Sequence, residues 1–91
     1  MEIEVLTNRL EELTFEINKE NTGQYIDKIA AEIMQYQSSG GLGKPLHKFF
    51  FELCLRNEKD KNKDDVLGEI FCRIEGFCPE KDAILFDDIE V

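Results

Sequence analysis

The segment 60–71, DKNKDDVLGEIF, begins with the spacing of a calcium-binding loop. Asp60, Asn62 and Asp64 stand where the first, third and fifth oxygen ligands of an EF-hand would stand. Such a loop also needs glycine at its sixth position and a carboxylate at its twelfth, where this chain has Asp65 and Phe71. The pattern therefore predicts no calcium site. It indicates a helix start instead, with Asn62 or Asp64 as the cap and acidic residues that complement the helix dipole.

The softer ligands and nucleophiles are His47, Cys54, Cys72 and Cys78. Their spacing matches no common zinc pattern, since there is no C-x-x-C pair. A catalytic pair of His47 and Cys54 is also disfavoured. These residues are seven apart on one helix, which separates them by about 10 Å along its axis, too far for a hydrogen bond. Free thiols on apolar helices are the simpler interpretation. We expect no metal, no cofactor and no enzyme activity.

The run SSGGLGKP at residues 38–45 is similar to a phosphate-binding loop only in part. The pattern G-x-x-x-x-G-K-[ST] requires glycine where Ser38 stands and serine or threonine where Pro45 stands. No hydrophobic strand precedes it. We therefore interpret the run as a hinge between two helices.

Charge is the chain's main compositional feature. Its 91 residues include 20 acidic and 11 basic side chains, a net charge of −9. Nucleic acid and anionic membranes are disfavoured as direct ligands, because binding them requires cations that neutralise phosphate. A basic protein partner is favoured. With three cysteines, no apolar run of about 20 residues and no secretory signal, we expect a cytoplasmic protein.

Apolar periodicity predicts about four amphipathic helices in one domain spanning residues 1–91. Spacings of three and four residues from Ile3 to Ile17 favour a first helix over a strand at 13–17, with Gly23 ending it. A second helix is expected over Tyr25–Gln37, with Met34 on its apolar face. A third has Pro45 in its first turn, and a fourth ends at Gly76. The predicted fold is an all-α compact bundle, with residues 83–91 as a short strand, a last helical turn or a tail.

The third helix carries apolar residues on more than one face. Phe51 and Leu55 lie roughly opposite the main stripe of this helix. That stripe is formed by Leu46, Phe49, Phe50 and Leu53. Such a helix is either central to the core or covered by a partner. We favour a central helix wrapped by the others.

The last third of the chain is strongly acidic, with nine acidic and two basic residues in 64–91. Apolar residues interleave with these acids, as at Phe86 and Asp87. Apolar anchors ringed by carboxylates suit an interface with a basic protein. We expect reversal of Asp87 and Asp88 to lysine to slow association with little loss of folding. The predicted partner-binding residues are Asp64, Asp65, Glu69, Phe86, Asp87, Asp88 and Glu90.

In its length, acidity and opening helix LTNRLEEL, the chain resembles the small helical immunity proteins of bacterial toxin systems, such as contact-dependent inhibition, Maf and colicin-type pairs. The resemblance implies a stoichiometric inhibitor, monomeric or weakly dimeric, that neutralises a basic toxin, foremost a nuclease. One alternative is a phage-type acidic protein that mimics nucleic acid to inhibit a host defence complex. Another is a helical regulatory or assembly subunit that dimerises through Phe51 and Leu55.

Overall fold

The computed structural model describes residues 2–76, 83–84 and 86–89, and its regular elements are four α-helices. The all-α bundle is therefore confirmed. The described residues of the C-terminal segment form neither helix nor strand. No helix in the described part of the chain is long and apolar enough to cross a membrane. The helices are α1 (Ile3–Glu16), α2 (Thr22–Ser38), α3 (Gly43–Arg56) and α4 (Lys61–Glu75).

The helices pack so that the order around the bundle is α1, α2, α4, α3. Helix α2 lies between α1 and α4, and α3 packs against α4 and less extensively against α1. The apolar stripes meet in one core, as their spacing predicts. Met34 is an exception, since it is exposed instead of lying on the buried face of α2. The largest fully buried side chains are Phe50, Leu6, Leu10, Ile29, Ile33, Leu46, Leu67, Ile70, Ile74 and Val66.

The turn between α1 and α2 is held by asparagine side chains, so the prediction that Gly23 ends α1 is wrong. Helix α1 ends at Glu16, whose carbonyl accepts a hydrogen bond from Asn21 Nδ2 at 3.0 Å. Asn21 Oδ1 accepts another from the Asn18 amide at 2.8 Å. The Asn21 side chain thus satisfies backbone groups at the end of α1. Helix α1 therefore does not need the backbone turn that a C-terminal glycine would provide. Gly23 lies in the first turn of α2.

The glycine-rich connection between α2 and α3, which the sequence predicts as a hinge, packs in part against Tyr36. Gly40 has φ 87°, a left-handed conformation that glycine adopts without steric cost. At Gly41 a Cβ atom would collide with the Tyr36 ring. The Tyr36 hydroxyl donates to the Leu42 carbonyl at 2.7 Å. Pro45 occupies the first turn of α3, as expected.

The C-terminal segment returns across the bundle to the start of α3. The Ile84 amide donates to the Arg73 carbonyl at 2.9 Å. Phe86 then enters the core, where its ring centroid lies 6.2 Å from that of Tyr36. A Cβ at Gly43 would collide with Phe86, so the close approach of the segment to α3 requires glycine there. The segment thus fastens the end of α4 to the α2–α3 connection.

Candidate protein-binding surface

Two of the predicted binding residues of the C-terminal segment, Phe86 and Asp88, hold the fold. Phe86 is only 7% exposed, so the expectation of an exposed apolar anchor is wrong at this position. Asp88 accepts hydrogen bonds from the amides of Gly43 at 2.8 Å and Lys44 at 2.9 Å. Asp87 is exposed. Glu90 lies outside the described residues.

The hydrogen bonds of Asp88 make it an N-terminal cap of α3 supplied from 45 residues away. The local cap position, Leu42, has no side-chain oxygen to offer. The amide of Lys44, and after it that of Gly43, lower the pKa of Asp88, against an opposing effect of burial. Replacing Asp88 with lysine would remove this cap. The expectation that reversing Asp87 and Asp88 leaves folding nearly unchanged is therefore corrected at Asp88.

The predicted residues on α4 do lie on the surface. Asp64 and Asp65 are exposed, and neither forms an ion pair with another residue in 2–76, 83–84 or 86–89. Glu69 is also exposed, and its Oε1 lies 3.4 Å from Arg73 Nη2 one helical turn later. Asp64 and Asp65 are thus the carboxylates of this group that are open to a partner.

The helix cap that the sequence pattern predicted lies a few residues earlier than expected. Asp60 Oδ1 accepts the amides of Asn62 at 3.1 Å and Lys63 at 3.2 Å, so the cap is Asp60 and not Asn62 or Asp64. Of the three residues with calcium-like spacing, Asp60 is therefore the cap, and Asn62 and Asp64 lie at the start of α4. Within the described residues, no three His, Cys, Asp or Glu side chains come together as a metal site.

Helix α3 is not wrapped by the other helices, which corrects its expected central position. Phe51 is 48% exposed and Leu55 is 52% exposed. The opposite side of the helix, with Leu46 and Phe50, is fully buried. Phe51 and Leu55, four residues apart, therefore form an exposed apolar strip on one side of α3.

Phe71 of α4 extends this apolar surface across the helix pair. Its ring centroid lies 6.1 Å from that of Phe51, 6.2 Å from that of Phe50 and 5.0 Å from that of His47. Phe71 is only partly buried. It therefore connects the buried ring of Phe50 with the exposed ring of Phe51. We call this surface the α3–α4 face, and its residues are His47, Phe51, Leu55, Asp64, Gly68, Phe71 and Glu75.

Gly68 lies in the middle of α4 without a packing reason. A Cβ atom there would meet nothing within 4 Å. Glycine inside a helix costs roughly 0.5–1 kcal/mol relative to alanine. Spacings of four, three and four residues place Gly68 on one side of α4 with Asp64, Phe71 and Glu75. Gly68 thus lies on the α3–α4 face with open space where a side chain would stand.

Two carboxylates, Asp64 and Glu75, lie on this face. Burial raises the pKa of the Cys54 thiol to about 11, and the charges of Asp64 and Glu75 add to the rise. Both carboxylates are therefore near enough to act on one thiol at the α3–α4 contact. Glu75 Oε2 also lies 3.3 Å from His47 Nε2. Asp64 was predicted from the sequence, whereas Gly68, Phe71 and Glu75 were missed although their spacing to Asp64 was visible.

Comparisons of this chain with protein-family models, with curated proteins and with solved structures find no match.

Proposed function

We propose that this chain is a stoichiometric protein inhibitor, of the immunity-protein kind, that binds and neutralises a basic toxin in the cytoplasm. The proposal involves no catalytic step, metal, cofactor, nucleic acid or membrane. The toxin class that fits best is a nuclease, because a site that holds phosphates is cationic.

The observation that carries the proposal is an exposed apolar surface bordered by acid in a chain of net charge −9. On the α3–α4 face, Phe51 and Leu55 supply the apolar contact area. Asp64 and Glu75 add negative charge on the same side of α4 as Phe71. Interfaces are dominated by a few buried aromatic or aliphatic anchors within a polar rim, and Lys and Arg of a basic partner would complement this rim.

The same charge disfavours a second copy of the chain as the main partner. Two acidic faces would repel each other at low ionic strength, whereas a cationic toxin would be attracted at long range. A rigid inhibitor bound at or beside the toxin's active site would exclude its substrate. Fast association matters for such a function, since the toxin must be captured before it acts.

The test uses the product of the reading frame next to the gene for this chain, which the proposal requires to contain a basic toxin domain. We expect a one-to-one complex and loss of toxin activity. Asp64→Lys with Asp65→Lys should slow association by about tenfold or more, since steering by charge contributes factors of this size. The control is Glu2→Lys with Glu4→Lys, which makes the same change in charge at two exposed residues at the start of α1, the N-cap and the first turn.

Three outcomes would contradict the proposal. The first is that no complex forms with the toxin. The second is equal slowing by both double variants, which would assign the effect to total charge alone. The third is recovery of the chain on the nucleic-acid channel of a defence complex, as expected of a nucleic-acid mimic.

A further inference from the structure

Helices α3 and α4 are antiparallel neighbours, and their outer residues form one strip along the α3–α4 face. Near the start of α3, His47 Nε2 lies 3.3 Å from Glu75 Oε2 at the end of α4. One turn further along α3, the ring centroid of Phe51 lies 6.1 Å from that of Phe71, one turn earlier in α4. The line between two such helix axes is where a third helix packs, about 8–10 Å from each of them.

Gly68 lies on the α4 side of this strip and has no packing or backbone role within the fold. It is in the middle of α4, where glycine is less favourable than alanine, and its φ is not positive. A Cβ atom there would meet nothing within 4 Å. A glycine in a helix lets another backbone come closer than a side chain would allow. An occupant of the strip would therefore approach α4 most closely at Gly68.

The exposed apolar residues of the strip have a spacing that fits another helix. Phe51 and Leu55, each about half exposed, are four residues apart on α3. Phe71 follows Gly68 by three residues on α4. Rows of side chains three and four residues apart are the ridges between which the side chains of a second helix pack. The occupant that matches these rows is the apolar side of an amphipathic helix.

The charges on the two edges of the strip differ in sign. On the α4 edge, Asp64 is exposed and forms no ion pair with any residue in the described part of the chain. On the α3 edge, Lys48 is exposed three residues before Phe51. A lysine or arginine of the occupant is therefore complemented on the α4 edge at Asp64, one turn before Gly68, and not on the α3 edge.

We propose that the partner places a basic amphipathic α-helix along this strip, with its backbone close to Gly68. The apolar side of that helix packs against Phe51, Leu55 and Phe71, and one of its lysines or arginines pairs with Asp64. The inference rests on the proposed function for the identity of the partner. It adds which kind of element the partner contributes, and it makes Gly68 the point of closest contact.

The test uses two model peptides of leucine and lysine that have the same composition and differ only in order. In one peptide leucine recurs every three to four residues, as on one side of a helix, and in the other it alternates with lysine, as in a strand. Each peptide is titrated into the isotope-labelled chain and followed by NMR. We expect the helical peptide to shift the signals of Phe51, Gly68 and Phe71, and the alternating peptide to leave them in place.

Matched variants separate close contact from general charge attraction. Gly68→Ala should weaken binding of the helical peptide by about fivefold or more, as an added methyl group does in a packed contact. Gly23→Ala adds the same methyl group to α2, where it also meets nothing within 4 Å, and should leave the affinity unchanged. Asp64→Asn should weaken binding more than Asp65→Asn, because Asp65 lies about 100° further around α4.

The inference is overturned if the alternating peptide binds the strip equally well, or if the two glycine variants have equal affinities. It is also overturned if the free chain sediments as a dimer that Phe51→Ser dissociates, since the strip would then belong to a second copy.

The product of the neighbouring reading frame separates this inference from the proposed function. If wild type and Gly68→Ala bind and neutralise that protein equally well, the inference fails and the proposed function stands. If that protein forms no complex while the helical peptide binds the strip as expected, the proposed function fails and the strip remains a site for a basic helix.

Discussion

At the scale of single residues, Asp88 illustrates how an acid that looks available for binding can have a structural use. Its two carboxylate oxygens accept the amides of Gly43 and Lys44 at the start of α3. Asp87, one position earlier, is exposed. Variants of Asp87 and Asp88 can therefore be compared to distinguish an acid that stabilises the fold from a neighbouring acid that only faces solvent.

We predict that Asp88→Ala lowers the urea midpoint of unfolding, whereas Asp87→Ala leaves it nearly unchanged. The pKa of Asp88 is lowered in the folded chain from the ordinary value of 3.8. Its stabilisation is therefore fully present above that ordinary value and is lost as the pH falls through the lower folded value. Unfolding curves measured from pH 7 down to pH 2 should show the gap between wild type and Asp88→Ala closing below about pH 4. A gap that stays constant would contradict the cap.

Alanine at Gly68 and at Gly43 should change the stability of the chain in opposite directions. Gly68→Ala should stabilise the chain by roughly 0.5–1 kcal/mol, because the helix gains a better former and the new methyl group meets nothing. Gly43→Ala should destabilise it by about 1–3 kcal/mol, because the methyl group collides with Phe86. Thermal unfolding of the two variants measures both signs. A stabilised Gly68→Ala chain that binds its partner less well would indicate that the partner contacts the α3–α4 face at Gly68.

At the scale of elements, the start of α4 depends on Asp60. Asp60→Ala should reduce the free energy of unfolding by about 1 kcal/mol, the usual effect of losing a cap. Asn62→Ala, at the position that the sequence pattern suggested as a cap, should change it little. Urea unfolding of the two variants would decide between the caps, and a larger effect at Asn62 would contradict the hydrogen bonds seen here.

The helices could be predicted from the sequence because their signals are local. The three- and four-residue spacing from Ile3 to Ile17 identifies α1, and Gly76 with φ 79° ends α4 as expected. The C-terminal segment could not be predicted, since its partners are distant in the chain. The residues around Asp88 give no sign that its carboxylate caps α3, whose own cap position, Leu42, has no side-chain oxygen. Charge and apolar interleaving alone made Phe86 resemble a surface anchor, because burial depends on the whole fold.

The α3–α4 face was only partly predictable for the same reason. The sequence places Phe51 and Leu55 opposite the main stripe of α3. This pattern is compatible with a helix at the centre of the core and with a helix covered by a partner. The position of α3 at the side of the bundle, next to α4 and α1, decided between them. That position also places Phe71 beside Phe51, a contact between residues 20 apart in the chain.

At the scale of the whole molecule, the apolar residues divide between those that hold the bundle together and those that remain outside it. Phe86 belongs to the first group, since it joins the C-terminal segment to Tyr36 and to the start of α3. Phe51 belongs to the second group. The proposed function requires this division, because a surface can be given to a partner only if the fold does not depend on it.

Alanine at each of these two positions tests the division. Phe86→Ala should reduce the free energy of unfolding by about 3–5 kcal/mol, since it empties a buried site and frees the segment that caps α3. Phe51→Ala should reduce it by less than about 1 kcal/mol, because half of that side chain is already in water. Urea unfolding measures both variants, and binding to the basic partner is then measured for Phe51→Ala at a temperature where it is folded. A large loss of stability from Phe51→Ala would make the α3–α4 face part of the core and remove it as a binding surface.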